Sequence, residues 1–280
     1  MTPAGRDVRR LAPRVAALAL VVAGPCLWRP ASGDEPCPRG VLPAYAHNDY
    51  ANPQPLTGAL RLGFRGVEAD VFLVDGVLRV GHERRRAGTG PSLETLYLEP
   101  LRAVVDRCGA LTADGRPFLL TVEIKERSLP TYDALVALMA RYRVLVAGTD
   151  STGRGPPIEV VLVGWHPPLA STHGADTAFG LQYRLTRAEP GLPDLDPRVR
   201  LLSLDYGKTL GRRRLTPAGR QRWLATLRSA KAAAPGRLLR VHNLPVDRLL
   251  YAELLDAGVD LIGTERPTET ARLLVAPAAP

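Results

Sequence analysis

Gly66-Val67-Glu68-Ala69-Asp70-Val71-Phe72-Leu73-Val74, then Asp75-Gly76, then Val77-Leu78-Arg79-Val80-Gly81-His82, is the stretch that decides how this chain is read. The first nine residues have the β-branched, aromatic-rich content of a strand. Asp75-Gly76 is a two-residue hairpin signal, so Val77–Val80 folds back as a short extension. Glu68 and Asp70 are two apart and therefore share one face of the strand. Two anions on one buried face repel each other unless a cation stands between them. His82 closes the extension beside them.

The neighbouring runs repeat the theme. Val41–Ala46 reads as a first strand and ends on His47-Asn48-Asp49-Tyr50. Phe118–Ile124 reads as a third, with Glu123 near its end and Lys125 two residues on. Further strands are expected at Ile158–Gly164, Ala178–Tyr183, Leu201–Leu204, Leu238–His242 and Val259–Gly263. Helices are expected between them at Pro55–Leu62, Leu93–Arg107, Tyr132–Tyr142, Pro217–Ala233 and Arg248–Asp256. This alternation over some 250 residues is that of an α/β (β/α)8 TIM barrel, in which active-site groups sit at the C-terminal ends of the strands. The segments 147–157 and 190–197 read as loops.

The residues at those ends form a chemical set. Glu68, Asp70 and Glu123, with the Asn48 amide, offer oxygen ligands, which favour one divalent cation, Ca²⁺ or Mg²⁺, over zinc. His47 and His82 are the candidate acid and base, since imidazole titrates in the range both tasks require. Lys125 supplies a fixed positive charge for a phosphate oxygen. Asp205, Lys208 and Arg240, at the ends of the sixth and seventh strands, are candidate headgroup contacts. The weaker histidines are His173, read as a solvated loop residue, and His166 and His242, which end strands and are candidates to line the pocket but lack carboxylate neighbours. The set fits metal-assisted cleavage of a phosphodiester. The rival is a non-catalytic barrel that grips phosphorylated headgroups or anionic lipid; retention of both histidines argues against it.

The first 33 residues carry Arg6, Arg9, Arg10 and Arg14, an apolar Val15–Trp28 stretch and small residues at Ala31-Ser32-Gly33. That is the pattern of an export signal cleaved near Gly33, with an uncleaved anchor as the alternative. The barrel domain then spans 34–280, and the formal charge of +9 falls to about +5 with the leader removed. Arg84–Arg86 and Arg212–Arg214 are not interleaved with aromatics, which argues against nucleic acid. Attraction to phosphate or peripheral contact with an anionic membrane suits them better, and a solvated face is the commoner reading of such runs. Cys37 and Cys108 both fall at the bottom face of such a barrel. They can bridge if their Cα atoms lie within ~7 Å. The Ala/Pro-rich tail Ala276–Pro280 is expected to fray.

These residues resemble the phospholipase C-like phosphodiesterase superfamily, which includes glycerophosphodiester phosphodiesterases, sphingomyelinase D and phosphoinositide phospholipase C. The order His-Asn, Glu-x-Asp, His, Glu corresponds to His47-Asn48, Glu68/Asp70, His82 and Glu123. The resemblance implies histidine acid/base chemistry and a cation held by the Asn and the acids. A closer likeness is to the altered inheritance of mitochondria protein six family. Residues 47–50 match its His-Asn-Asp-Tyr opening, Ser92–Leu101 its Leu-Tyr-Leu-x-Pro-Leu segment, and residues 203–208 its Ser-Leu-Asp-Tyr-Gly-Lys run. The likeness extends over about residues 43–270. Two positions depart from the pattern. His242-Asn243-Leu244-Pro245 stands where an aromatic is usual, and Glu265 where Thr-Asp is usual. Neither is expected to touch the metal set; the first bears on headgroup preference. The resemblance implies a phosphodiester or phospholipid headgroup as substrate.

Overall fold

A computed structural model describes residues 37–38, 40–147, 155–168, 179–185, 192, 194–210 and 216–275. The proposed leader, His173, Arg212–Arg214 and the C-terminal tail lie outside them. The strands are β1 (Leu42–Ala46), β2 (Phe64–Val74), β3 (Val77–Val80), β4 (Phe118–Ile124), β5 (Ile158–Gly164), β6 (Phe179–Leu185), β7 (Val199–Asp205), β8 (Leu238–His242) and β9 (Leu261–Thr264). All except β3 pair in parallel, in the ring β1-β2-β4-β5-β6-β7-β8-β9, and β9 closes back on β1. This is the closed eight-stranded (β/α)8 barrel.

Period-two alternation sorts the side chains. Ala44, Ala46, Val67, Leu120, Val122 and Val160 face outward into the apolar layer under the helices. Tyr45, Leu119, Val161, Leu201 and Leu261 form a separate cluster that fills the lower part of the barrel. The same inward parity continues upward through Glu68, Asp70, Thr121, Glu123, Ser203, Asp205, Arg240 and His242. The interior therefore changes from apolar at the bottom to charged at the top.

Strand β2 runs past the rim. It pairs with β4 as far as Val71 opposite Ile124, and beyond that with β3 in antiparallel register. Asp75 and Gly76 both have positive φ, 49° and 75°, as the tight hairpin turn demands. The return is anchored by the Gly81 N–H, which donates to the Asp70 carbonyl at 3.0 Å.

Several expected bounds shift. The fifth run is Phe179–Leu185, the sixth Val199–Asp205 and the eighth Leu261–Thr264. The helix expected at Leu93–Arg107 opens with a wide π turn over Glu94–Leu98 before its α-helical part, Glu99–Cys108. Cys37 and Cys108 are joined by a disulfide, with Cα atoms 5.7 Å apart. It ties the segment before β1 to the helix that follows the hairpin, at the end of the barrel opposite the charged rim.

Candidate active site

The expected groups converge on the C-terminal mouth. Glu68 and Asp70 are almost fully buried, at 2% and 0% exposure. The β2–β4 register sets Asp70 beside Glu123. One oxygen from each of Glu68, Asp70 and Glu123 falls within 4.8 Å of the others. Asp70 Oδ1 is buried and has no hydrogen-bond partner. An unpartnered buried carboxylate oxygen is costly, and an all-oxygen donor set around it suits a hard cation.

Lys125 reaches into this group, with Nζ 3.2 Å from Asp70 Oδ2 and 3.4 Å from Glu123 Oε1. Burial works to lower its pKa, but the two carboxylates outweigh it and the net shift is upward. The ammonium is thus a fixed charge.

The two histidines are held differently. The hairpin carries His82 back over Asp70, where Nδ1 lies 3.0 Å from Oδ2 and the ring remains largely exposed. His47 has a carboxylate at each ring nitrogen, Glu68 Oε2 at 3.2 Å from Nε2 and Glu265 Oε1 at 3.1 Å from Nδ1. Asn48, next to it, takes a left-handed backbone with φ 50°. Its Nδ2 donates to Glu265 Oε1 at 3.1 Å, which leaves Oδ1 to face Tyr50.

Arg240 stands deeper than a headgroup contact should. Its guanidinium is 2% exposed and lies 4.6 Å over the Tyr45 ring. It donates to Ser203 Oγ and to Gln182 Oε1, and Nη1 comes within 3.9 Å of Glu68 Oε1. Its place is beneath Glu68, as a countercharge. Asp205 and Lys208 lie on the other side of the mouth. Lys208 is exposed, with Nζ 3.4 Å from Asp205 Oδ2.

Three groups matter more in the site than the sequence suggests. Glu265 touches both His47 and Asn48, so that departure from the family pattern does reach the site. Its signal was its parity with the inward residues Leu261 and Gly263. His242 does have a carboxylate neighbour, because the β7–β8 register pairs it with Asp205. Its Nε2 lies 3.8 Å from Asp205 Oδ2 and its ring centroid 5.1 Å from that of His47. Gly263 makes room for it: a Cβ there would come within 2.7 Å of the His242 Cβ. Burial, then Arg240 and His47, push the His242 imidazole down to about 3. Burial works to raise Asp205, but the Lys208 N–H, the Asn243 amide and His242 bring it below its ordinary value. The pair is therefore a neutral imidazole beside a carboxylate. The third group is Tyr50, whose hydroxyl meets Asn48, Asp70 and His82. Burial, and then the Asp70 carboxylate, raise its pKa far enough that it keeps its proton.

Beside His47 a cavity of about 430 Å³ opens between the loops after β8 and β9, walled by Leu244, Pro245, Val246, Glu265 and Arg266.

The chain is similar to known proteins in sequence and in fold. A curated relative from Arthroderma benhamiae, altered inheritance of mitochondria protein 6 homolog, is 28% identical over 168 residues, 50% of this chain. Another, altered inheritance of mitochondria protein 6 from Eremothecium gossypii, is 33% identical over 91 residues, 31% of this chain. The matches span 53% of the first relative's length and 23% of the second's. In fold, the chain is similar to a glycerophosphodiester phosphodiesterase from Agrobacterium tumefaciens, with a TM-score of 0.50 at 16% identity, over 84% of this chain and 99% of that one. Residues 38–145, the part of the chain that begins the barrel, match the family model of the AIM6-like phosphodiesterase domain.

Proposed function

We propose that the protein is an exported, cation-dependent phosphoric diester hydrolase acting on glycerophosphodiester or phospholipid headgroup esters. The observation that carries this reading is the cluster of Glu68, Asp70 and Glu123, with oxygens within 4.8 Å of one another and an unpartnered Asp70 oxygen among them. Glu68, Asp70, Glu123 and the Asn48 amide would hold one divalent cation, Ca²⁺ or Mg²⁺. When bound it supplies charge neutralisation at a phosphoryl oxygen.

The chain's own groups do the rest. Lys125, fixed by Asp70 and Glu123, places positive charge where a phosphate oxygen would lie. His47 follows β1 and His82 follows β3, and each meets a carboxylate of the cluster. One takes the proton of the attacking oxygen and the other protonates the leaving alkoxide. Attack by water gives a phosphomonoester; attack by a hydroxyl of the substrate gives a cyclic phosphate. Export is supported by the basic and apolar N-terminal pattern and by the Cys37–Cys108 bridge, which belongs to oxidising compartments.

The test is turnover of glycerophosphodiesters by the purified protein, with and without EDTA. Turnover abolished by EDTA and restored by Ca²⁺ or Mg²⁺ is the expected result. Binding of phosphorylated headgroups without any turnover would instead leave the non-catalytic barrel.

A further inference from the structure

Tyr50 is not among the groups assigned a role above, yet its hydroxyl sits where the cluster of acids meets a histidine. Oη lies 2.8 Å from Asn48 Oδ1, 2.8 Å from Asp70 Oδ2 and 3.3 Å from His82 Nδ1. A phenol has one proton to give. Asn48 Oδ1 and ionised Asp70 Oδ2 are both pure acceptors, so only one of the two short contacts is a hydrogen bond at any moment.

The surroundings say which. Asp70 Oδ2 already faces Lys125 Nζ at 3.2 Å and His82 Nδ1 at 3.0 Å. Asn48 Oδ1 has no such supply, and its amide is fixed by the Nδ2 bond to Glu265. In the chain by itself the hydroxyl proton therefore belongs to Asn48. Once Asn48 Oδ1 is engaged elsewhere, the proton can turn to Asp70 Oδ2. The two acceptors are equally distant, so the turn is a rotation of one O–H bond with no heavy atom moved.

The ring is held for this purpose. Tyr50 lies in the short 3-10 turn Asp49–Ala51. Buried Asp49 pins that turn by accepting from the Leu56 N–H at 2.6 Å and the Tyr97 hydroxyl at 3.0 Å.

We propose that Tyr50 is a positioning residue for the cation site: its hydroxyl holds the Asn48 carbonyl in ligand orientation by a hydrogen bond, and turns that hydrogen bond to Asp70 when a divalent cation takes the carbonyl. This rests on the cation reading above and adds a residue to it. A partner lying behind the ligands typically contributes about 10–100-fold to metal affinity.

The experiment is isothermal titration of the full-length protein with CaCl₂ and MgCl₂, comparing wild type, Tyr50→Phe, Asn48→Ala and the double variant. Thermal melting of each confirms that it is folded. Tyr50→Phe keeps the ring and loses the proton, and is expected to weaken cation binding about tenfold. Its kcat at saturating cation should return to within about threefold of wild type, since the acid and base remain. Added to Asn48→Ala, the same change should cost little more, because Tyr50 acts through the Asn48 oxygen. Wild-type affinity in folded Tyr50→Phe, or full independent losses in the double variant, overturns the proposal. Absence of cation binding by the wild type overturns the cation reading itself, a result distinct from either.

Discussion

His82 Nδ1 lies 3.0 Å from Asp70 Oδ2, a contact made across the hairpin rather than between barrel strands. If Nδ1–H is donated to Asp70, Nε2 is the atom left for proton exchange. His47 is held differently, with Glu68 at one ring nitrogen and Glu265 at the other.

The two histidines should divide the proton transfers. His47→Ala and His82→Ala should each lower turnover of a glycerol diester by about 10²–10⁴-fold. A p-nitrophenyl diester needs no proton on its leaving group. It should partly rescue one variant and leave the other inactive. Near wild-type activity of both on a natural-type diester would show that the chemistry lies elsewhere.

Asp70→Asn removes charge while keeping shape. It should weaken Ca²⁺ or Mg²⁺ binding and turnover together and leave the far-ultraviolet circular dichroism unchanged. Full activity of this variant, or of wild type stripped rigorously of metal, would count against cation dependence.

Asp49 predicts a pH dependence of stability. Burial raises its carboxyl from 3.8 to about 7, against the opposing effect of its hydrogen bonds from Leu56 and Tyr97. The unfolded chain ionises this group near its ordinary value, and the folded chain only near neutrality. Stability should therefore fall as pH rises from about 4 to 7 and be level beyond, by at most about 4 kcal/mol. Asp49→Asn should flatten that dependence. Melting temperatures at pH 5 and pH 8 decide it: equal slopes in wild type and variant would remove Asp49 as the cause.

The disulfide predicts a separation of stability from activity. Its residues are 71 apart in sequence, and closing a loop of that order stabilises by about 4 kcal/mol on the chain-entropy account. Cys37→Ser with Cys108→Ser should lower the melting temperature by roughly 10 °C while leaving kcat near wild type, because the bridge is at the far end of the barrel. An equal loss of kcat at 25 °C would contradict that separation.

The barrel was legible because each strand carries its own local signal. Phe118–Ile124, Ile158–Gly164 and Leu238–His242 match the expected bounds to the residue. Glu68, Asp70, Glu123, His47, His82 and Lys125 were legible as a group because they close neighbouring strands at the start of the chain. Glu265 and His242 were not, since their partners depend on how β9 closes against β1 and β8 against β7, which is long-range register. Arg240 shows the converse. Its position near a strand end suggested the mouth, but the inward parity it shares with Ser203 takes the long side chain down over Tyr45. Tyr50 lay within the quoted motif, yet nothing in the sequence shows that its hydroxyl meets three groups drawn from separate segments.

The β2–β3 hairpin separates the height of the cleft wall from the contact at its base. Its root is fixed by the Gly81 N–H on the Asp70 carbonyl, while its tip at Asp75-Gly76 projects beyond the barrel. Residues added in matched pairs to the two arms would raise the wall of the cleft without moving His82 relative to Asp70. The hairpin is in that sense an adjustable parapet on a fixed foundation: its height can change while the His82–Asp70 contact at its base stays as it is.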